Sequence, residues 1–408
     1  LIERLESEGI DVGVCDHHEY PADGDVRGVI LNPSNENDHY PFRGLCGAGV
    51  AFKLVRALEM RGITGAVNTE TLIDLFAVAT VGDLSPLTEE NRYLVREGLR
   101  QLKGECRVGF NALKKVAGLD KPEIHSYHIG FVLAPRLNAP GRISNAKPAL
   151  EILCTNDKAQ AADLAQVLET ENNERKLLTE KTCDEVMEII KNMPDRDERG
   201  GFILVGEGWN EGVLGIAASR IVDECGKPAV VISVLGDRGK GSGRSVPGVH
   251  LKEQLDCCSD HMIRYGGHAQ AVGLTVDAAR VDAFVDALTL QLKEATTSLS
   301  KKVPLGIDTN LSLGDCTLEL VDFLARCEPF GNGNKRPVWM IPRVVITPET
   351  RLVGRKHLKL FVRDANGGTA EGISFNWAQR GIAPESLHGL IVDLAVSIKK
   401  GYYLERHY

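Results

Sequence analysis

The chain is short of aromatic residues, paired cysteines and long apolar runs, and each shortage argues against a class of protein. Phe, Trp and Tyr make up only 5% of the 408 residues, which leaves few rings for base stacking. Ten cysteines are scattered along the chain without a single Cys-x-x-Cys pair, so a zinc ribbon or a thioredoxin-like motif is not expected. Most of them sit among apolar neighbours, where a thiol behaves as a small hydrophobe, and a reducing cytosol is the expected compartment. There is no signal peptide and no apolar run of membrane-spanning length, so neither export nor insertion is indicated. Positive charge is also scarce: 48 Lys and Arg against 56 Asp and Glu give a net charge of -8. That balance argues against a wholesale polyanion coat, though not against a local basic groove.

What is present is the composition of a folded protein, 43% apolar and 25% charged. The length exceeds one ordinary core, and two to four domains are expected. Over 1–155, apolar bursts at 11–15 and 28–31 read as strands, and 48–60, 69–80 and 88–103 read as helices. That alternation predicts an α/β domain with a parallel sheet. The opening "LIERLESEGI" reads as the end of an amphipathic helix, and a chain that starts there without Met is expected to be a fragment.

Asp157 to Met193 contains neither Gly nor Pro and predicts a long helix within a connecting region, 156–196. Its centre, "ETENNERK", is polar all round, as in a helix that bridges two domains. A second α/β domain is expected over 197–300, with strands in "GFILVGEG" and "PAVVISVLG" and helices over "EGVLGIAASRIVDEC" and Val281 to Ala295. Between them "GDRGKGSGRSVPG" reads as a flexible basic loop. The segment 301–408 is rich in short β runs and predicts a small barrel or sandwich.

Chemistry concentrates near the start, in "VGVCDHHEYP". Asp16, His17 and His18 directly follow a strand, and ligands of parallel α/β sheets gather at the carboxyl ends of strands. One Asp or one His there is an ordinary turn cap. A compact Asp-His-His instead suits Mn²⁺, Fe²⁺ or Zn²⁺, which accept imidazole and carboxylate together. In "FAVATVGDLSPLTEEN" an apolar stretch ends at Asp83, a second carboxylate of the same kind.

These residues resemble a known family. "CDHHEYP" with "VILNPSNENDHYPFRGLCGAGVAFKLVRAL" looks like the third motif of the DHH phosphoesterase superfamily, in its RecJ-type exonuclease branch, and "TVGDLSPLTEENR" is similar to the fourth. "LAPRLNAPGR" resembles the family's Arg- and Asn-bearing segment. "GWNEGVLGIAASRI", "GKGSGRSVPG" and "YGGHAQAVGLTV" look like its DHHA1 domain, and "CEPFGNGNKRPVW" like the entry to its OB-like domain. The match runs in the right order along essentially the whole chain. It implies an α/β fold: a partial DHH domain, a linker helix, a DHHA1 domain and a C-terminal OB-like β-barrel. The family's first two motifs, aspartate-rich and upstream of DHH, are absent from these residues.

The resemblance further implies a cytoplasmic, metal-dependent 5′→3′ exonuclease on single-stranded DNA, acting in DNA repair and recombination. Asp16, His17, His18 and Asp83 fall on its metal positions, for two Mn²⁺ (or Mg²⁺) ions in the complete protein. Arg244 and Ser245 fall on strand-binding positions, and Arg136, Asn138, Arg142, Ser242, Gly266, Gly267 and His268 are candidates for further contacts with the strand. Arg355, Lys356 and Lys359 in "TRLVGRKHLKLFVRD" are candidates for a basic stripe on the OB-like part. Each also has a plainer reading: interdomain ion pairs for the arginines, a tight turn for Gly266 to His268, a solvated strand face for the last group. With few aromatics, binding is expected to run through phosphates and to be strongly salt-dependent. A helicase or single-strand-binding protein is the implied class of partner, and no membrane is. Two alternatives stay open: a DHH phosphodiesterase for short oligonucleotides, and a non-catalytic single-strand-binding replication scaffold.

Overall fold

The computed structural model describes residues 1–19, 28–63, 65, 68–104, 106–119, 123–297, 305–400, 402–403 and 406–407. Tyr20 and Pro21 of the Asp-His-His motif, and the expected boundary at 300/301, lie outside the described residues. The chain divides into two units, Leu1–Ser85 with Glu89–Lys301, and Pro86–Thr88 with Lys302–Tyr408. Among the described residues no helix is long and apolar enough to cross a membrane.

The first unit opens with a short helix α1 (Ile2–Ser7) and two parallel strands, β1 (Gly13–Cys15) and β2 (Val29–Leu31), in register Gly13↔Val29. Helices α2 (Gly47–Met60), α3 (Ile73–Gly82), α4 (Glu89–Lys103) and α5 (Val108–Val116) follow. A single turn α6 (Ser126–His128) runs through a π-helical segment, Ile129–Leu133, into α7 (Ala134–Ile143) and then α8 (Lys147–Cys154). Phe76, Ala77, Leu99, Leu102, Phe110, Leu113, Ile129 and Leu133 are almost wholly buried among these helices.

The 35-residue helix α9 (Lys158–Asn192) starts at Asp157, whose carboxylate accepts the backbone N–H groups of Ala159 and Gln160. It spans roughly 52 Å at ~1.5 Å per residue. Its buried positions fall in two groups, Ala161–Asn172 and Thr182–Ile190, with none between. Apart from the adjacent Thr182 and Cys183, spacings of three and four within each group keep one stripe inward. The first stripe packs on α5, α7 and α8, and the second joins Phe202, Trp209 and Ala217 in another core. The stretch between the two groups has neither core to cover it, but "ETENNERK" is not polar and open all round as expected: Asn172 at its middle is buried and Glu169 is paired with Arg136.

That second core belongs to a five-stranded sheet, ordered β3 (Phe202–Glu207), β4 (Ala229–Leu235), β5 (Arg238–Arg244), β7 (Ala271–Asp277), β6 (Met262–Gly267). Only β3 and β4 run parallel. Helix α10 (Leu214–Cys225) covers one face; α11 (Leu251–Asp256) and α12 (Val281–Thr296) contribute to the core on the other. The tract read as a flexible basic loop is instead the central strand β5. Its pattern, "RGKGSGR", alternates with period two. Gly239, Gly241 and Gly243 face a core so close that a β-carbon there would lie within 3 Å of Val276, Leu274 or Val272. Arg238, Lys240, Ser242 and Arg244 fill the opposite face. An apolar side is present, supplied by the neighbouring strands.

In the second unit, helix α13 (Leu318–Arg326) precedes an antiparallel sheet of β9 (Trp339–Ile346), β10 (Arg351–Val353), β11 (His357–Arg363), β12 (Thr369–Ser374) and β13 (Ile391–Val396), with the short β8 (Thr309–Asn310) parallel to β9. Leu313, Ile341, Val344, Ile346 and Val362 form its core. Among the described residues the strands do not close into a barrel.

Helix α5 crosses α8 where a β-carbon on Gly109 would lie 1.8 Å from the carbonyl oxygen of Ile152. Backbone cannot yield there as a side chain would. The Gly109→Ala variant is expected to lose ~1–3 kcal/mol. At ~2–4 °C per kcal/mol for a body of this size, its thermal midpoint should fall by several degrees in calorimetry.

Candidate functional site

Strand β1 delivers Asp16, His17 and His18 to its carboxyl end, as the strand-end argument requires. One ligand atom from each lies within 4.8 Å of the other two. The Asp16 Oδ1 is 2.7 Å from His18 Nδ1, and the two imidazole rings are 4.5 Å apart. Partial burial pushes the Asp16 carboxyl up. The His18 ring and the backbone N–H groups of His17 and His18 outweigh it, leaving the carboxyl below the ordinary aspartate range.

Asp83 joins this group from another element. It caps the C-terminus of α3, with its Oδ2 3.8 Å from His17 Nδ1. A carboxylate at a helix C-terminus faces the negative end of the helix dipole. The Ser85 hydroxyl, donating to it at 2.9 Å, and the His17 ring are the polar groups that offset this. The four side chains give a mixed imidazole and carboxylate donor set, which fits Mn²⁺ or another divalent transition ion.

The motif's backbone is tied down by residues that the sequence reading left without a role. Asn32 Nδ2 donates to the carbonyl of His18 at 3.0 Å, and Ser34 Oγ donates to that of His17 at 3.1 Å. Both come from "LNPSN", just after β2. Since β1 and β2 are parallel neighbours, the turn after one lies beside the turn after the other. An Asn-Pro-Ser turn following a strand was the available signal. The N-terminus of α2 closes another side: Gly47 is positioned so that a β-carbon would lie 3.5 Å from the His17 ring.

A second constellation forms where α7, α9 and β5 meet. Exposed Arg142 donates to the carbonyl of Gly212 at 3.0 Å. Burial, and after it the charge of Arg142, hold the guanidinium groups of both Arg175 and Arg244 below the ordinary arginine range. Arg244 donates to the Ser242 hydroxyl and the Gly243 carbonyl, and Arg175 to Asn172. Among the described residues none of the three arginines is paired with a carboxylate. Arg175 Nε and the Nδ2 of Asn172, itself 1% exposed, also lack hydrogen-bond partners. Arginine cannot shed its proton, so each of these three guanidinium groups keeps its positive charge and its capacity to donate to an anion. Arg175 and Asn172 were missed because the linker helix was read only as a spacer.

The remaining candidates divide. Arg136 is 8% exposed and tied to Glu169 of α9 and the Val132 carbonyl, so its guanidinium joins two helices. Asn138 is exposed on α7. Ser245 is buried and donates to the Val249 carbonyl. Gly266 lies opposite Gly273, which lies opposite Ser242, in one row across β6, β7 and β5. With no side chain at either glycine the row is bare, and it floors a cavity of about 470 Å³ lined also by Glu211, Lys240, Arg264 and Tyr265. Gly267 and His268 form the exposed turn of the β6–β7 hairpin. In the second unit Arg355 and Lys356 project from the β10–β11 turn, whereas Lys359 pairs with Glu371 at 2.8 Å. Arg351 and Lys359 flank the Phe361 ring at 5.3 and 5.0 Å.

Comparison with known proteins places this arrangement. Residues 199–294 match the DHHA1 domain and residues 307–407 the RecJ OB domain. The chain is 34% identical to the single-stranded-DNA-specific exonuclease RecJ of Bacillus subtilis, over 95% of this chain and 49% of that protein. It is 32% identical to the RecJ of Escherichia coli, over 93% of this chain and 70% of that one. The crystal structure of RecJ with Mn²⁺ from Thermus thermophilus superposes with a TM-score of 0.84 at 27% identity, covering all of this chain and 58% of the other. The chain thus spans about half the length of the Bacillus relative and more than two thirds of the Escherichia one. With a third of its residues identical along nearly its whole length and the same fold throughout, this chain belongs to the RecJ family.

Proposed function

We propose that the chain binds single-stranded DNA and hydrolyses its phosphodiester bonds in the 5′→3′ direction with a divalent metal. The observation that carries this reading is the pairing, within one compact unit, of an Asp-His-His-Asp donor set with a three-arginine anion site. Relatives named as single-stranded-DNA-specific exonucleases, and a neighbour crystallised with Mn²⁺, support it. A DHH phosphodiesterase for short oligonucleotides would not call for the RecJ OB match over 307–407. A cytosolic site of action and a helicase or single-strand-binding partner belong to the same reading.

Asp16, His17, His18 and Asp83 would hold the ion. A bound divalent ion polarises phosphoryl oxygens and lowers the pKa of a coordinated water. A two-ion site draws further carboxylates from outside these four residues. Asn32 and Ser34 fix the backbone of the two histidines, and so the directions of their rings. Arg142, Arg175 and Arg244 bind a phosphate, with Ser242 and the bare row at Gly266 and Gly273 allowing the strand to lie close. Arg136 holds α7 against α9 and so positions Arg142. In the OB-like unit, Arg355 and Lys356 supply exposed positive charge to the strand.

Two measurements test the reading. Single-stranded DNA labelled at its 3′ end should shorten with Mn²⁺, not with EDTA, and not with the Asp16→Ala, His17→Ala double variant. Shortening that survives in the double variant would overturn the ligand assignment. Mn²⁺ binding followed by electron paramagnetic resonance should weaken in that variant by more than the ~10–100-fold that loss of an outer-shell partner costs. Separately, Arg244→Ala should weaken strand binding and flatten the plot of log affinity against log salt by ~0.7, the slope of one phosphate contact on a single strand. An unchanged slope would remove Arg244 from the interface.

A further inference from the structure

The chain has few aromatics, yet two of its largest are stacked on each other in solvent. Tyr127 and Phe131 are 62% and 71% exposed, with ring centroids 4.8 Å apart and planes 26° from parallel. The His128 ring meets Tyr127 edge-on at 5.8 Å and stacks on His125 at 5.6 Å, so four rings run in series. Exposing this much ring surface opposes folding, because neither ring's outer face is removed from water. A π-helical turn carries Phe131, and such turns recur at functional sites.

The placement of that turn is specific. Ile129 and Leu133, on its inner side, are fully buried. Gly130 lies against Val81, and Ala134 against Gly82, where a β-carbon would be 3.2 Å away. Val81 and Gly82 are the last residues of α3, and Asp83 follows them. The inner side of the turn is thus packed on the end of the helix that carries Asp83, while Phe131 leaves the turn on its exposed side. Downstream the turn continues directly into α7, which ends at Arg142 and Ile143. Phe131 to Arg142 is on the order of 16 Å of helix at ~1.5 Å per residue. One continuous helical stretch thus runs from the exposed aromatic pair, past the end of α3, to Arg142.

Resting on the reading above, we propose that Tyr127 and Phe131 form a stacking platform for bases of the single-stranded DNA whose phosphate lies at Arg142, Arg175 and Arg244. Every base has a π-face, so the platform adds affinity without choosing a sequence. It cannot serve a base that is still stacked in a duplex. The platform therefore supplies a preference for unpaired strands that phosphate contacts alone do not give.

The test separates bases from phosphates. Binding is measured by fluorescence anisotropy, in EDTA so that nothing is cleaved, on an ordinary oligonucleotide and on one of equal length made abasic throughout. The wild-type chain should hold the ordinary strand more tightly. Phe131→Ala should weaken that strand about 5- to 100-fold and leave the abasic strand unchanged. Phe131→Leu keeps an apolar side chain without a π-face and should behave like the alanine variant at an unchanged thermal midpoint, whereas Phe131→Trp should restore binding. Equal weakening of both strands, or rescue by leucine, would show a packing surface for protein and overturn the platform. Phe131→Ala binding both strands as wild type does would also overturn it, and Arg244→Ala still reducing the salt slope would then leave the proposed function standing. If wild type holds neither strand, both readings fall.

Discussion

Three guanidinium groups that have no carboxylate partner among the described residues set a constraint on the first unit. Arg142 arrives on α7, Arg175 on the long helix and Arg244 on the central strand of the five-stranded sheet. Each carries a fixed charge, and partial burial of Arg175 and Arg244 removes water that would otherwise screen theirs. Such a convergence is stable only because other contacts pin its three elements. The Arg136–Glu169 pair joins α7 to α9, and the two buried stripes of α9 anchor it in two cores.

The metal-donor end shows the same economy with the opposite sign. Asp83 sits at the negative end of α3, and Asp16 keeps a low pKa through its contacts with the neighbouring histidines. Carboxylates so placed favour a cation between them. The backbone that carries the histidines is held in place, because side chains from the adjacent strand's turn donate to their carbonyls. Under the function proposed above, this end would take the divalent ion and the arginines the phosphate.

Much of this was legible in the sequence, for identifiable reasons. The Asp-His-His cluster was readable because all three residues are consecutive, and the long helix because its lack of Gly and Pro leaves no other structure. The helices at 108–116 and 134–143 were harder: the first is short, and the second contains Pro135 and Pro140. Arg175 and Asn172 were invisible because they matter only through residues on other elements. Asn32 and Ser34 carried a turn signature, but their role depends on which strands are neighbours. The exposure of Tyr127 and Phe131 was not legible either, since composition counts rings and does not say which of them are left outside.

The glycine-rich strand shows how far pattern reading reaches. "RGKGSGR" alternates as strictly as any amphipathic strand, but glycine stands where Val or Ile would normally mark the buried face. The reason lies across the sheet, where Val230, Ile232, Val272 and Leu274 already fill the space that side chains on Gly239, Gly241 and Gly243 would need. With the buried face filled from outside, the strand's polar residues are confined to the side where α10 packs. There Gly215 leaves room for Arg244, since a β-carbon would lie 2.8 Å from its guanidinium. The guanidinium is thus placed by two absences of side chain, one on each element. A hydrophobicity pattern records residues that fill space and is blind to those whose contribution is to leave it empty.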